Sequence, residues 1–342
     1  MNLCFNPLSR FTRWVVKDEY LHEPFVVVDI GVQGGGHPRW NLLGKYLELH
    51  GFDAIKEVID SLQAQNRGKE NLHYYWTAAG DQDEDRTLHL NHADPFSSSL
   101  FAQGEDRFGT AATRLVDKRT VPVRRLDTLL SEGKIPKADF LKMDVEGFEK
   151  RVLLGAREFL ASGLLGIETE TNFNTSTEYP KSHLGTMQEL VLAHNFLVFD
   201  INFNRIPRAT FQQALRKAGR RPVTDQRSVG RPATLNVLFC RDFIAEADHP
   251  ADFQAVVSAP SVDQIIKMLV IYELHGLNDI AVDTAERFRS TLLSRLDVDK
   301  AIGLLADPHC RRREFSFRAR AWLARKAKQA IQRIGSKIAE QR

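Results

Sequence analysis

The stretch FVVVDIGVQGGGHP, from Phe25 to Pro38, limits this chain more than any other. Its first six residues are apolar except for Asp29, and four glycines follow within the next six positions. An apolar run without alternation reads as a strand buried on both faces, the environment of a parallel sheet. Glycines straight after such a strand let the backbone turn sharply and approach a ligand closely. An acid and a bare backbone at the end of a buried strand therefore point to a nucleotide-like cofactor.

The rest of the chain supports that architecture. Strand-like and helix-like segments alternate from about Phe25 to Arg241: KYLELHGFD, IKEVIDSLQAQ, NLHYYWTAAGD, ADFLKMDVEG, FEKRVLLGAREFLA, LLGIETETN, GTMQELVLAHN and FLVFDIN. A less regular insert, with RTLHLNH, SSSLF and VPVRRLDTLL, interrupts the series, and a basic loop over 205–233 precedes a last strand, TLNVLFC. Such alternation predicts an α/β fold with a mostly parallel sheet covered by helices on both faces. The last two strands have no helix-like segment between them, so the last is expected to be antiparallel. From about residue 248 the pattern becomes helical, with caps expected at Ser261 and Asn278. The expected organisation is an N-terminal extension (1–24), the α/β domain (25–247), a helical appendage (248–308) and a basic amphipathic helix (309–342).

Which cofactor is bound depends on the glycine spacing. A dinucleotide turn needs G-x-G-x-x-G, and here Val32 and Gln33 follow Gly31. The pattern present is D-x-G-x-x-x-G: Asp29, Gly31, Gly35. An acid there suits a ligand with a cationic amino-acid end and no pyrophosphate, and S-adenosylmethionine is such a ligand. Asp53, at the tip of the second strand, can accept from both ribose hydroxyls, which fits NAD equally well. An NAD(P) enzyme and a tight structural corner stay open as alternatives on spacing alone.

A second cluster, ADFLKMDVEGFEKRVLLGA, places Lys142, Asp144, Glu146 and Gly147 before a helix that ends in Leu154, Gly155 and Ala156. With VVVDIGVQGG, GFDA, TAAGD, SSSL and RRLDTLL, it resembles the FkbM family of S-adenosylmethionine-dependent methyltransferases over about Phe25–Arg241. The resemblance implies a seven-stranded Rossmann-like methyltransferase sheet and O-methylation of a sugar or polyketide-like hydroxyl. It implies that Asp29, Gly31 and Gly35 line the methionine end of the cofactor, Asp53 its ribose, and Ala79 and Asp81 the adenine side. Two features depart from the family pattern: Val32-Gln33 where many members have Ala-Asn, and a following helix cut short by GHPRW.

Methyl transfer from a sulfonium is an in-line displacement, so the enzyme chiefly positions the acceptor oxygen. A sugar hydroxyl is a poor nucleophile and benefits from a general base. Asp144 and Glu146 end the fourth strand, and Glu168 and Glu170 lie on one face of the fifth. Asp144, Glu146 and Glu168 are the catalytic candidates. Loop histidines His37 and His183 lie on the same rim. Asp144, Glu146 and Glu168 could instead hold Mg²⁺ through oxygens, although their spacing does not specify a metal site. Glu146 could equally favour the N-terminus of the following helix. Ser98 and Ser99 face substrate or form a turn, and Trp40, Phe173 and Tyr179 are aromatic platforms or packing. A binding or scaffold protein with a degenerate methyltransferase fold remains the alternative of a different class.

Composition and charge frame the partners. Three scattered cysteines, Cys4, Cys240 and Cys310, give no metal spacing or disulfide framework, and a reducing compartment follows. The N-terminus lacks a secretory apolar core, and the longest apolar run, IIKMLVIYEL, carries Lys267 and Glu273. A cytoplasmic location is expected. From Arg311 to Arg342 eleven Lys/Arg face two Glu, a charge of +9, so a total of +3 leaves −6 for the rest. Written as a helix, the tail gathers Trp322, Ile331, Ile334 and Ile338 on one side, ringed by Arg and Lys. It fits an anionic surface at the inner membrane face or a contact between copies of the chain. Nucleic acid is disfavoured by the acidic body. The acceptor is expected to be a saccharide or similar small hydroxyl compound.

Overall fold

The computed structural model describes residues 8–91, 98–101, 117–173, 182–221, 223, 229–256 and 258–306. The basic tail expected over 309–342, with Cys4, Cys310 and Tyr179, lies outside the described residues. Helix α1 (Arg10–Lys17) comes first, then β1 (Phe25–Ile30), a 3-10 helix (Pro38–Tyr46), β2 (Leu47–Asp53), α2 (Lys56–Gln65) and β3 (Leu72–Trp76). The insert supplies β4 (Ala78–Ala79), β5 (Glu84–Leu90) and β6 (Asp117–Arg124), followed by α3 (Leu126–Ser131). Next come β7 (Phe140–Met143), α4 (Glu149–Leu154), α5 (Arg157–Ala161), β8 (Gly166–Asn172), α6 (Leu184–Leu192) and β9 (Phe196–Ile206). The chain continues through α7 (Ala209–Lys217), β10 (Arg231–Arg241), α8 (Phe243–Asp248), α9 (Val262–Leu274), α10 (Asn278–Arg287), α11 (Arg289–Leu292) and α12 (Val298–Leu305).

Seven strands form one sheet in the order β3-β2-β1-β7-β8-β10-β9. The first five are mutually parallel, and β10 is antiparallel to both β8 and β9. This is the seven-stranded, mostly parallel sheet that the resemblance implies, and its last strand is antiparallel as expected. The 205–233 stretch, read as loop, contains α7. A helix there does not restore a parallel crossover, because β10 enters between β8 and β9 against their direction. The order reverses at β1/β7, the switch point at which open α/β sheets leave a crevice beyond their strand ends.

β1 is buried along its whole length, as its unalternating apolar run predicts. Val28, Ile30, Leu141, Met143 and Ile167 feed one core on one face of the sheet. On the other face Trp40, 2% exposed, packs between Phe25 and Phe140 with ring centroids 5.7 and 4.8 Å away. Trp40 is therefore packing and not a sugar platform. The stretch read as one strand over NLHYYWTAAGD is divided: β3 belongs to the main sheet, while β4 pairs with β6 in a three-stranded sheet ordered β4-β6-β5. That sheet buries Leu88, Leu90 and Val121 with Ile55, which gives the insert regular structure that its sequence conceals. The helix read over FEKRVLLGAREFLA is two helices that part at Gly155. A Cβ on Gly155 would lie 2.0 Å from the Gly80 carbonyl oxygen, so close backbone packing holds that glycine in place.

The described residues divide into two compact units: 21–267, which holds the sheets, and 8–20 with 268–306. In the first, Ser261 and Gln264 form the reciprocal capping box at the start of α9. In the second, Glu273 is fully buried. It accepts from the N–H groups of Phe11 and Thr12 at 2.9 and 2.7 Å and from the Thr12 hydroxyl at 2.7 Å, which satisfies donors at the start of α1. Asn278, expected as a cap, instead donates from Nδ2 to the Leu305 carbonyl at 2.6 Å. Among the described residues no helix is long and apolar enough to cross a membrane.

Candidate active site

Parallel register places three charged side chains side by side across the centre of the sheet. Asp29 on β1 pairs with Lys142 on β7, and Lys142 pairs with Glu168 on β8. Strand side chains in register share a face, so the row reads minus, plus, minus. Lys142 Nζ lies 2.9 Å from Asp29 Oδ1 and donates to the Gly31 carbonyl at 2.8 Å. Glu168 Oε2 lies 3.1 Å from Arg39 Nη1, and Arg39 and Glu168 are both buried. Arg39 comes from the 3-10 helix after the glycines, so the row ties that segment to the sheet. Burial raises the pKa of Asp29 against the pull of Lys142. For Lys142, burial acts downward, but the carboxylates of Asp29, Asp144 and Glu168 outweigh it and hold the pKa above the ordinary lysine value. Lys142 is thus a permanent cation among three acids.

Beyond the ends of β1, β2 and β7 lies a cavity of about 540 Å³, a size that suits a cofactor or small ligand. Asp29, Gly31, Gly35, Asp53, Ala79, Asp144 and Glu146 line it. Of the catalytic and cofactor-binding candidates named from sequence, Glu168 and Asp81 are not part of this lining. Glu168 is engaged with Arg39, and Asp81 pairs with Arg151. Glu170, two residues further along β8, does line the cavity. Carboxylate oxygens of Asp144, Glu146 and Glu170 all lie within 4.8 Å of one another. The acids that converge are therefore Asp144, Glu146 and Glu170.

The turn after β1 is shaped by the turn after β7. Gly31 has φ +80°, and a Cβ there would stand 2.1 Å from the Asp144 carbonyl oxygen. Only glycine fits both the left-handed backbone and that approach. Asp144 N donates to the Ile30 carbonyl at 2.9 Å, which stitches the two turns together. Glu146 also has a left-handed backbone, φ +54°, an uncommon conformation for a residue with a side chain. Its carbonyl accepts from the Ser99 hydroxyl at 3.0 Å, so the insert helps hold this conformation. Ser98 and Ser99 both line the cavity, and Ser98 Oγ also accepts from Asn91 N at 3.1 Å.

Glu149 satisfies backbone N–H groups in the turn that leads into α4. Its Oε1 accepts from the N–H groups of Val145 and Gly147 at 3.2 and 3.1 Å, and Oε2 accepts from Ser182 Oγ at 2.9 Å. Burial raises its pKa against those donors. The two rim histidines are also engaged. His37 Nδ1 accepts from Arg39 N and Nε at 3.2 and 3.0 Å, which leaves the proton of the neutral ring on Nε2. His183 Nδ1 accepts from Gly185 N at 3.2 Å and caps α6. Both ring nitrogens that accept are occupied by structural donors, and neither ring suits the role of base. Phe173 stacks on Phe203 at 5.7 Å.

Asp53 ends β2 and is 8% exposed. Its Oδ1 accepts from Ile55 N at 2.8 Å. Burial, with a smaller push from Asp29, raises its pKa from 3.8 to about 6, against the Ile55 N–H and Lys142. A buried carboxylate held in that condition at the rim of a cavity gains from a ligand that donates hydrogen bonds. The residues therefore fit a nucleoside-bearing cofactor: a bare-backbone turn, a half-satisfied acid at the next strand end and a cavity of matching size.

Sequence reasoning missed four side chains. Lys142 was quoted only as part of a motif, and Glu149 follows the motif by two residues. Asn204 on β9 and Asn236 on β10 also line the cavity. Asn236 could have been noticed, as a polar residue inside the apolar strand TLNVLFC.

Residues 43–198 match the family model described as the methyltransferase FkbM domain. A comparison with curated proteins finds no match. Among solved structures, methyltransferase FkbM from Methylobacillus flagellatus KT is similar at 13% identity and a TM-score of 0.36, over 63% of this chain and 43% of that one. This chain thus covers less than half the length of the Methylobacillus protein. Fibrillarin from Aeropyrum pernix with natively bound S-adenosylmethionine is similar at 11% identity and a TM-score of 0.32, over 64% and 67% of the two chains. A putative RNA methyltransferase from Pyrococcus horikoshii is similar at 12% identity and a TM-score of 0.30, over 68% and 82%.

Proposed function

We propose that this chain, whose residues 43–198 match the methyltransferase FkbM family model, methylates a hydroxyl oxygen of a saccharide or similar small acceptor with S-adenosylmethionine as donor. The observation that carries this reading is the convergence of Asp144, Glu146 and Glu170 in the same cavity as Gly31, Gly35 and Asp53. When bound, the cofactor supplies an electrophilic methyl carbon and leaves as a neutral thioether. The chain's own part is binding, orientation and proton handling. Gly31, Gly35 and Asp29 with its partner Lys142 would hold the amino-acid end of the cofactor. Asp53 would accept from its ribose hydroxyls, with Ala79 towards the base. Asp144 would take the acceptor's hydroxyl proton, with Glu146 and Glu170 supporting the negative potential that favours it. Asn204 and Asn236 offer amide donors and acceptors to a polyhydroxylated acceptor.

The work is proposed to take place in the cytoplasm, with the basic tail directed to an anionic inner membrane face. The test is calorimetry with S-adenosylmethionine and with NAD, followed by mass spectrometry for a single methyl addition on nucleotide sugars, glycans and lipid-linked saccharides. Binding of the sulfonium ligand with no response to NAD supports the reading. Tight NAD binding without a response to S-adenosylmethionine would end it.

A further inference from the structure

A second constellation lies on β2 and β3, on the side of the sheet away from the strand ends that form the cavity. Glu48 and His50 stand two residues apart on β2 and so share a face. His50 is in register with His73 on β3, and β3 is the edge of the sheet. One ligand atom from each of Glu48, His50 and His73 lies within 4.8 Å of the other two. None of the three lines the cavity. Glu48 is five residues from Asp53, about 16 Å along a strand.

The hydrogen bonds around His50 orient its ring within this cluster. The Tyr75 hydroxyl donates its proton to the Lys134 carbonyl at 3.2 Å, since a carbonyl can only accept. His50 Nδ1 lies 3.0 Å from the same hydroxyl. With that proton on the Lys134 carbonyl, Nδ1–H is the donor to the phenol oxygen, and this is the tautomer in which Nε2 can ligate. In the neutral ring Nε2 then presents a lone pair, and it faces Glu48 Oε1 at 2.9 Å. A proton on Nε2 makes this contact a hydrogen bond, and a metal ion can take the place of that proton. The His73 ring stacks on His50 at 4.5 Å and brings a third donor atom.

We propose that Glu48, His50 and His73 form a binding site for a divalent transition-metal ion, zinc in the first instance. Two imidazoles and one carboxylate suit zinc or cobalt better than magnesium or calcium, which prefer all-oxygen shells. Zinc bonds of about 2.0–2.1 Å in a tetrahedron need donors about 3.3 Å apart. To reach that spacing the Glu48 and His50 atoms, now 2.9 Å apart, separate by a few tenths of an ångström, and His73 on the edge strand adjusts to meet them. Tyr75 plays the outer-shell part: it fixes the His50 tautomer so that Nε2 points at the metal, as outer-shell partners of metal-bound histidines do. The half-buried Glu48 and His73 leave an entry path. The ion would pin the edge strand β3 to β2 and leave a fourth position for water.

The test uses the untagged full chain, stripped with a chelator and then freed of it. Cobalt(II) is titrated with visible absorption as the readout, and zinc by calorimetry and competition. One equivalent of cobalt with the intense bands of a four-coordinate site, displaced by zinc, is expected. His73→Ala and the isosteric Glu48→Gln should each weaken zinc by tenfold or more, and Tyr75→Phe by about ten- to a hundredfold. Asp144→Asn should leave zinc affinity unchanged, since that acid belongs to the cavity. Absence of stoichiometric uptake by the wild type overturns the proposal. So does uptake that His73→Ala and Glu48→Gln leave intact, or that Asp144→Asn alone abolishes. Circular dichroism on each variant separates loss of ligand from loss of fold.

Discussion

Replacing Asp53 by Asn should make the ligand-free protein more stable and its cofactor binding weaker. Asp53 is 8% exposed, and its pKa in the fold is about 6 against an ordinary 3.8. A raised folded pKa means that the folded state binds the proton more tightly than the unfolded chain. Stability therefore falls as pH rises from about 3.8 to about 6, and the full cost stands above that window. Two pH units at about 1.4 kcal/mol each give about 3 kcal/mol. Asn keeps an oxygen for the Ile55 N–H and carries no charge to desolvate, so it removes that cost. At pH 7.5 Asp53→Asn should raise the midpoint of thermal unfolding by roughly 4–6 °C. The gain should shrink as pH drops through 6 and be gone near pH 4. Binding moves the other way: a carboxylate that takes two hydroxyl donors becomes an amide that takes one poorly, at a cost of about 1–3 kcal/mol. Thermal melts across pH, with calorimetry at pH 7.5, read both effects. A variant that is less stable than wild type at pH 7.5, or a difference that does not change with pH, refutes the reasoning.

Asp144→Asn should lower turnover about a hundredfold or more while cofactor affinity stays within a few-fold of wild type, measured by single-turnover kinetics and calorimetry. Unchanged turnover would move the base to Glu170 or Glu146. Gly31→Ala should destabilise the chain by at least about 1–3 kcal/mol in denaturant unfolding, since φ is +80° and the new Cβ would meet the Asp144 carbonyl oxygen at 2.1 Å. Removal of residues 309–342 should abolish co-sedimentation with phosphatidylglycerol vesicles, and the wild-type binding should weaken with salt. If truncation instead converts an oligomer to a monomer with no vesicle binding in either form, the tail is a contact between copies.

The sheet was legible because strand-like runs set off by turn signals alternate with helix-like ones, and that pattern depends on neighbours along the chain. The cavity was legible for the same reason. Asp29, Asp53 and Asp144 are acids that end otherwise apolar strands, and Gly31 and Gly35 stand where a backbone must turn. What sequence could not decide was the choice between Glu168 and Glu170. Alternation puts both on one face, and they differ only by two residues of depth, about 7 Å. The deeper one meets Arg39, which comes from 129 residues earlier in the chain, and no local period reports such a partner. Glu149 was hidden likewise, because its role rests on the backbone N–H groups of Val145 and Gly147 and on Ser182 brought in from 33 residues away.

The unread pairings account for the departure at GHPRW. A longer helix after the glycines would carry its own backbone hydrogen bonds and could pack as an apolar stripe. The 3-10 helix over Pro38–Tyr46 kinks at Gly44, where φ is +54°. It is fastened instead by Trp40 between Phe25 and Phe140 and by Arg39 on Glu168. Arg39 completes a charge alternation that runs Asp29, Lys142, Glu168, Arg39, with each sign next to its opposite. Buried charges persist only when paired this way, and removal of one partner from such a pair costs about 3–5 kcal/mol. The same row fixes Lys142 beside Asp29 at the cavity wall, so the segment after the glycines is tied to the sheet next to the cavity.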